Sequence, residues 1–198
     1  MFDRSVFEAP ATEVAPLLLG ALLTVDDVVL RVTEVEAYLG VGVDPGSHAY
    51  RRRGQKNDTM FGPPGHLYTY FTYGMHVCSN VVCLPEGEAS AVLLRAGAIV
   101  DGVEVARMRR ATSRSDVDLA RGPARLTVAM DIGLADDGND LATGRVRLEL
   151  PAAASSFETS LRTGVSGAGG VEPFAWRYFI PGEPTVSPYK RWAPKRRP

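Results

Sequence analysis

The chain has 198 residues, enough to fill one hydrophobic core, and its length does not call for a second domain. An apolar share of 45% and a charged share of 23% are those of an ordinary globular protein, which excludes a disordered or fibrous chain. The formal charge of −1 offers nucleic acid nothing as a total, so any such role has to come from where the cations sit. No apolar run approaches the roughly 20 residues of a membrane span. The opening MFDRSVFEAP lacks the apolar core of a secretory signal. Cys78 and Cys83 would lie on opposite faces of one strand and so would not bridge each other; a reduced, cytoplasmic setting is expected.

In chain order, Ala11–Leu23 has apolar residues at three- and four-residue spacing behind Pro10 and predicts a helix, kinked or started late because of Pro16. Residues 28–38 (VVLRVTEVEAY) alternate as a strand; regular pleating puts Val28, Leu30 and Val32 on one face, continued by Glu34, Glu36 and Tyr38. Residues 39–56 form a long glycine-containing loop, and Asn57 caps a short turn that ends at Gly62 and Pro63-Pro64. Residues 66–71 and 75–84 predict a β-hairpin with Tyr73 at its tip. An apolar strand over 89–100 carries a single charge, Arg95. Helices follow at about 101–110 and after Gly122-Pro123, the second stopped by Gly133. Strands at 145–150 and 177–180 flank the glycine-rich turn 164–170, and the end of the chain is basic from Lys190 to Arg197. The reading is one mixed α/β domain spanning 1–198, with a basic tail from about residue 189.

The chemically able side chains crowd into residues 32–82: Glu34 and Glu36, all three histidines, most of the tyrosines, Asn80, and the cations Arg51, Arg52, Arg53 and Lys56. A loop this long inside a compact domain usually has a function. A carboxylate framed by apolar residues suits a general base, although the same pattern fits two surface glutamates on an edge strand. Arg95 needs a carboxylate partner if it is buried, and Glu36 is a candidate. His48, His66 and His76 lack the close spacing of metal ligands. Tyr38, Tyr50, Tyr68 and Tyr70 lie near the cations, as rings that stack on bases and charges that meet phosphates do. Tyr73, beside Gly74, has little core to pack on and suits a wedge.

The strings EVEAYLG, DPGSHA and KNDTMFGPPGHLYTYFTYGMHVCSNVV, then AVLLRA, RTGVSGAGG and WRYFIPG, together resemble the alkyladenine (3-methyladenine) DNA glycosylase family over roughly residues 18–188. The resemblance implies a curved antiparallel sheet flanked by helices with a protruding hairpin. It implies excision of alkylated purines of the 3-methyladenine and 7-methylguanine type from double-stranded DNA, with no metal and no organic cofactor. By the same resemblance Glu36 is the general base, Arg95 holds the attacking water, and His48 contacts both base and water. Tyr38 and Tyr70 sandwich the extruded purine, Asn80 at the pocket floor crowds out normal guanine, and Tyr73 fills the gap in the duplex. Met75, Arg51, Arg52, Arg53 and Lys56 are expected on the DNA-facing side. The expected agent is a monomer, associated with the nucleoid when on DNA, that leaves an abasic site without cutting the strand. Two other readings stay open at this level: a module that binds damaged DNA without chemistry, and a hydrolase of free nucleosides.

Overall fold

The computed structural model describes residues 2–72 and 74–193. Its main feature is a curled, wholly antiparallel sheet with strand order β3-β4-β5-β2-β1-β6. The strands are β1 (Leu22–Val25), β2 (Val28–Tyr38), β3 (Leu67–Thr72), β4 (His76–Cys83), β5 (Ser90–Asp101) and β6 (Val146–Glu149). Two short strands, β7 (Glu158–Ser160) and β8 (Arg177–Phe179), complete it, with β8 pairing to the second half of β2. Helices α1 (Ala11–Leu17), α2 (Val103–Arg109) and α3 (Pro123–Met130) pack on the sheet over the main core. The mixed α/β single domain, the curved sheet and the β3–β4 hairpin are those expected. Tyr73 and the tail from Pro194 to Pro198 lie outside the described residues. Among the described residues no helix is long and apolar enough to cross a membrane.

The first helix differs from expectation. It ends at Leu17, and Leu22–Val25 is a strand after a turn at Gly20, whose φ of 88° favours glycine. Pro16 is accommodated in the last turn. It cannot donate to the Thr12 carbonyl, and the Tyr178 hydroxyl donates there instead, at 3.3 Å. After β5, Gly102 in the left-handed region breaks the chain direction before α2.

The larger departure is in β2. Regular alternation would carry the face of Val28, Leu30 and Val32 on to Glu34 and Glu36. The ladder with β5 instead leaves Thr33 as an extra residue of β2 between Val32 and Glu34, and Arg95 as an extra residue of β5 between the partners of Glu34 and Val35. A shift of one residue turns every later side chain over. Val35 and Ala37 therefore continue the core face with Val28, Leu30 and Val32, and the two glutamates turn to the opposite side. From Val32 to Ala37 the strand is buried on both sides, one apolar and one charged.

Candidate active site

On the charged side, the register lines the site residues into one row. Tyr68 pairs with Asn80, Asn80 with Leu93, Leu93 with Glu36, and Glu36 with Arg177, across β3, β4, β5, β2 and β8. Residues directly opposite one another share a face of the sheet. Tyr70 and Cys78 form the next rung in the hairpin, and Tyr38 and Ala91 pair at the end of β2. A second apolar cluster of Ala49, Met60, Phe61, Tyr68, Val82, Ala89 and Ala91 supports this face, with Tyr38 and Tyr70 packed on it.

The row ends in a buried ion network. Glu34 and Glu36 have no exposed surface, and Arg95 and Arg177 are almost as deep. Arg95 donates through Nε to Glu34 at 2.8 Å and through Nη1 to Glu36 at 3.3 Å. Arg177 donates to Glu34 at 2.6 Å, and the backbone N–H and hydroxyl of Ser187 donate at 2.6 and 2.9 Å. Two acids thus meet two guanidiniums, which is what removing four charges from water requires. Burial opposes the charge on Glu34, but Arg95 and Arg177 outweigh it and hold the carboxyl below its usual range. Burial likewise opposes the charge on Arg95, but Glu36 and Glu34 hold it more firmly protonated than in water. Glu36 accepts two further bonds: the Tyr38 hydroxyl donates to Oε2 at 2.8 Å and the Thr163 N–H to Oε1 at 2.6 Å. The expected Arg95–Glu36 pair is present, but Arg95 is shared with Glu34, which had no assigned role.

In front of this network is a cleft of about 300 Å³. Tyr38, His48, Tyr70, Asn80 and Arg95, all singled out from the sequence, line it, together with Cys78 and the turn Gly164–Ser166. Glu36 is not on its surface; it lies behind Tyr38 and Arg95, which are. Burial first, and then the neighbouring Glu36, push the Tyr38 phenol well above its ordinary range, so it remains a donor. The Asn80 amide donates to the Tyr68 carbonyl at 3.0 Å, which orients it.

His48 stands edge-on to Tyr70, with ring centroids 4.4 Å apart. The Tyr68 hydroxyl spends its one hydrogen on the Lys56 carbonyl at 3.0 Å, so at 3.2 Å from His48 Nδ1 it can only accept. The proton of a neutral His48 is thereby assigned to Nδ1, leaving Nε2 as an acceptor. The His48 carbonyl takes a bond from Asn57 Nδ2 at 2.9 Å, which ties down the long loop. No hydrogen bond joins His48 to Glu36 or Arg95 among the described residues.

Sequence reading passed over a second buried pair. Arg162 grips Asp44 through both terminal nitrogens at 2.6 and 2.7 Å and also donates to the carbonyls of Ala37 and Gly169. Its guanidinium lies 4.6 Å from the Tyr38 ring centroid and so braces one wall of the cleft. Gly169 is needed here: a Cβ would come 2.3 Å from Gly46 N, between the two loops that Arg162 joins. Arg162 and Arg177 were visible in the sequence only as letters of longer strings. A lone arginine among apolar residues, as in Trp176-Arg177-Tyr178, was the available signal.

Of the cations, Arg51, Arg52, Arg53 and Lys56 are exposed; Arg53 is drawn to Asp58, and Lys56 borders a second cleft that shares His48 and Tyr70 as a wall. Met75 and Phe71 are 68% and 56% exposed at the hairpin end. His66 contacts Arg4, on the helix-side approach to β3, and does not line the cleft.

With this geometry in view, comparison with known proteins gives a consistent result. The methylpurine-DNA glycosylase family matches residues 5–184. A protein of Leifsonia xyli subsp. xyli with the provisional name 3-methyladenine DNA glycosylase is 58% identical, covering 95% of this chain and 92% of that protein. Proteins of Streptomyces avermitilis and Nocardia farcinica with the same provisional name are 53% and 47% identical, covering 98% and 88% of this chain and 94% and 84% of their own lengths. These are glycosylase enzymes of base-excision DNA repair by class. The chain belongs to the methylpurine-DNA glycosylase family.

Two predictions follow from the site's electrostatics. Glu34→Gln leaves Arg95 and Arg177 facing a neutral amide and is expected to lower unfolding free energy by about 3–5 kcal/mol near pH 7. The wild-type advantage is present above the ordinary carboxyl value of 4.5 and is lost as pH falls through the lower folded value, so the two proteins converge in acid. Urea unfolding from pH 7 to pH 3 reads this; a gap that persists unchanged into acid contradicts it. Burial lowers the His48 pKa, so the ring should still be neutral and Nδ1-protonated at pH 6.5, its ordinary midpoint. Protonation then favours the unfolded chain, and the stability His48 leaves intact above that midpoint declines below it. Imidazole nitrogen NMR tests this, and a half-charged ring at that pH rules it out.

Proposed function

We propose that this chain flips alkylated purines out of duplex DNA and hydrolyses their N-glycosidic bond with a water activated by Glu36, leaving an abasic site. The observation that carries the reading is a single acid, Glu36, fixed by Arg95 and Thr163 behind an aromatic cleft that is open to solvent. The names of the relatives supply the substrate class.

Ordinary glycoside hydrolysis uses two carboxyl groups, one to protonate the leaving group. A purine methylated at ring nitrogen 3 or 7 already carries positive charge. It departs with the electrons of the C1′–N bond and becomes neutral. The water oxygen bonds to C1′, and the water proton passes to Glu36. Glu34 is engaged by two arginines and Ser187, and so is not a second acid. Glu36 has no exposed surface, which suits a base working through a small water better than a nucleophile that must itself meet the sugar. Water enters beside Oε2, where the Tyr38 hydroxyl and Arg95 Nη1 now converge.

The extruded base lies between Tyr38 and Tyr70, where aromatic faces favour a cationic ring by about 0.5–2 kcal/mol per good contact. Because Arg162 already faces Tyr38, Tyr70 carries more of that preference. A neutral His48 adds no opposing charge and offers Nε2 as an acceptor. Asn80 beside the base screens exocyclic groups. The exposed Arg51, Arg52 and Lys56, with Met75 at the hairpin end, face the duplex. An alkylated base also costs less to unstack than an intact pair.

Glu36→Gln should reduce single-turnover excision of 7-methylguanine from a duplex by about 10²–10⁴-fold, while binding of the lesion duplex survives. Abasic sites are revealed by heating in alkali. Equal excision by the variant, or wild-type cleavage of free 7-methylguanosine but not of duplex, overturns the proposal.

A further inference from the structure

The last described residues of the chain pass along the rim of the cleft. Ser187 is held on Glu34 by its N–H and hydroxyl, and its carbonyl takes a bond from Arg177 at 2.7 Å. The Val186 carbonyl accepts from Arg121 Nε at 2.9 Å, two residues before Pro123 of the cleft lining. Three residues after Ser187, the Lys190 carbonyl accepts the N–H of Gly164 at 2.9 Å, and Gly164 begins the turn that walls the cleft. Residues 186–190 are thus bonded at both ends beside the cleft lining. Arg191 and Trp192 follow within about 8 Å of Lys190, since each residue advances the chain by about 4 Å at most.

Tyr189, Lys190, Arg191 and Trp192 are all exposed, the two rings at 43% and 46%. Neither cation forms an ion pair among the described residues. Elsewhere on the surface acids take up the arginines: Arg107 meets Glu104 and Asp116, Arg125 meets Asp118, and Arg145 meets Asp26, Asp131 and Asp136. With a formal total of −1, attraction for a polyanion has to come from cations left unpaired in this way. Rings interleaved with cations match a nucleic-acid strand, which offers faces for stacking and phosphates for charge. A nucleotide turned into the cleft stays joined to its strand, so the phosphates on its two sides cross the rim.

We propose, on the reading of duplex DNA as the substrate, that residues 189–192 are a second DNA-contacting surface, separate in sequence from the cations at 51–56. Lys190 and Arg191 meet phosphates of the lesion-bearing strand beside the extruded nucleotide. Trp192 lies against a sugar or base that extrusion uncovers. The tie to Gly164 is made by a backbone carbonyl, so it survives any change of the Lys190 side chain. The charge of this segment can therefore be altered without releasing the cleft wall.

The test measures affinity for a duplex carrying an uncleavable tetrahydrofuran abasic analogue, from about 50 to about 200 mM salt. Three forms of the full chain are compared with wild type: Lys190→Ala with Arg191→Ala, the charge-keeping Lys190→Arg with Arg191→Lys, and Trp192→Ala. Each phosphate contact adds about 0.9 to the slope of log affinity against log salt. The alanine pair should therefore show a slope shallower by about 2, and the wild-type advantage should shrink about tenfold across that range. The charge-keeping pair retains the wild-type slope. Trp192→Ala binds about fivefold more weakly at every salt concentration, because stacking releases no counterion. The proposal is overturned by wild-type affinity in Trp192→Ala, or by an equal loss of slope in the charge-keeping pair, which marks a packing role. If wild type itself fails to bind the duplex, the reading of DNA as substrate falls and this surface with it. Steep salt dependence in wild type that the alanine pair keeps in full rejects the surface alone.

Discussion

The geometry of the site depends on Arg95 having to be neutralised where water cannot reach it. Its position in β5, opposite a strand buried on both sides, commits it to the interior. A guanidinium there is tolerated only with carboxylates in good geometry, and removing either partner strands the other. Glu34 takes the Nε edge and Glu36 takes Nη1, so Arg95 acts as a spacer that fixes the distance between Glu34 and the proposed base, Glu36. Arg177 and Ser187 complete the shell of Glu34, and this draws a late segment of the chain against the middle of the sheet. Glu34 takes both arginines and Ser187, whereas Glu36 has one longer bond from Arg95 beside those from the Tyr38 hydroxyl and the Thr163 N–H.

The irregularity in β2 makes this possible. An unbroken pleat would have set the glutamates on the apolar face, under helices that offer no partners. The extra residue Thr33, unpaired in the ladder with β5, turns them over to the side where β8, the glycine-rich turn and the 39–54 loop converge. The same change keeps Val35 and Ala37 in the core, so apolar burial is not lost where the acids are introduced. The Arg162–Asp44 pair then locks the two loops together and backs Tyr38, and Asn57 holds the loop at His48. The cleft is thus built on strands at its floor and on tied loops at its rim, an arrangement that fixes reacting groups more tightly than free loops do.

Much of the cleft was legible in the sequence because its residues are chemically distinctive in strands that alternate clearly. Tyr70 and Asn80 were picked out by the resemblance and Arg95 as the one charge in an apolar strand, all three line the cleft, and the hairpin and central strands were found within a residue or two. What was not legible has definite causes. Alternation assumes an even pleat, and nothing in VVLRVTEVEAY signals the shift at Thr33, so the face of the glutamates was read wrongly. The short strands β1 and β7 rest on pairing to β2 and β6 and to β8 rather than on their own propensity, and β1 was absorbed into the predicted helix. Glu34 was seen as half of a pair, but its role as the anchor for Arg95 depends on Arg177 and Ser187, over 140 residues away. Arg162 and Asp44 are 118 residues apart and meet only once the loops fold.

The central claim is that Glu36 activates water and does not itself attack the sugar. The stereochemistry of methanol capture tests this most directly, in single-turnover excision of 7-methylguanine from a duplex in dilute methanol. One displacement by a nucleophile held at Glu36, opposite the departing base, predicts a methyl deoxyriboside of inverted, α configuration. A product of retained, β configuration would show two displacements through a covalent intermediate and contradict the account.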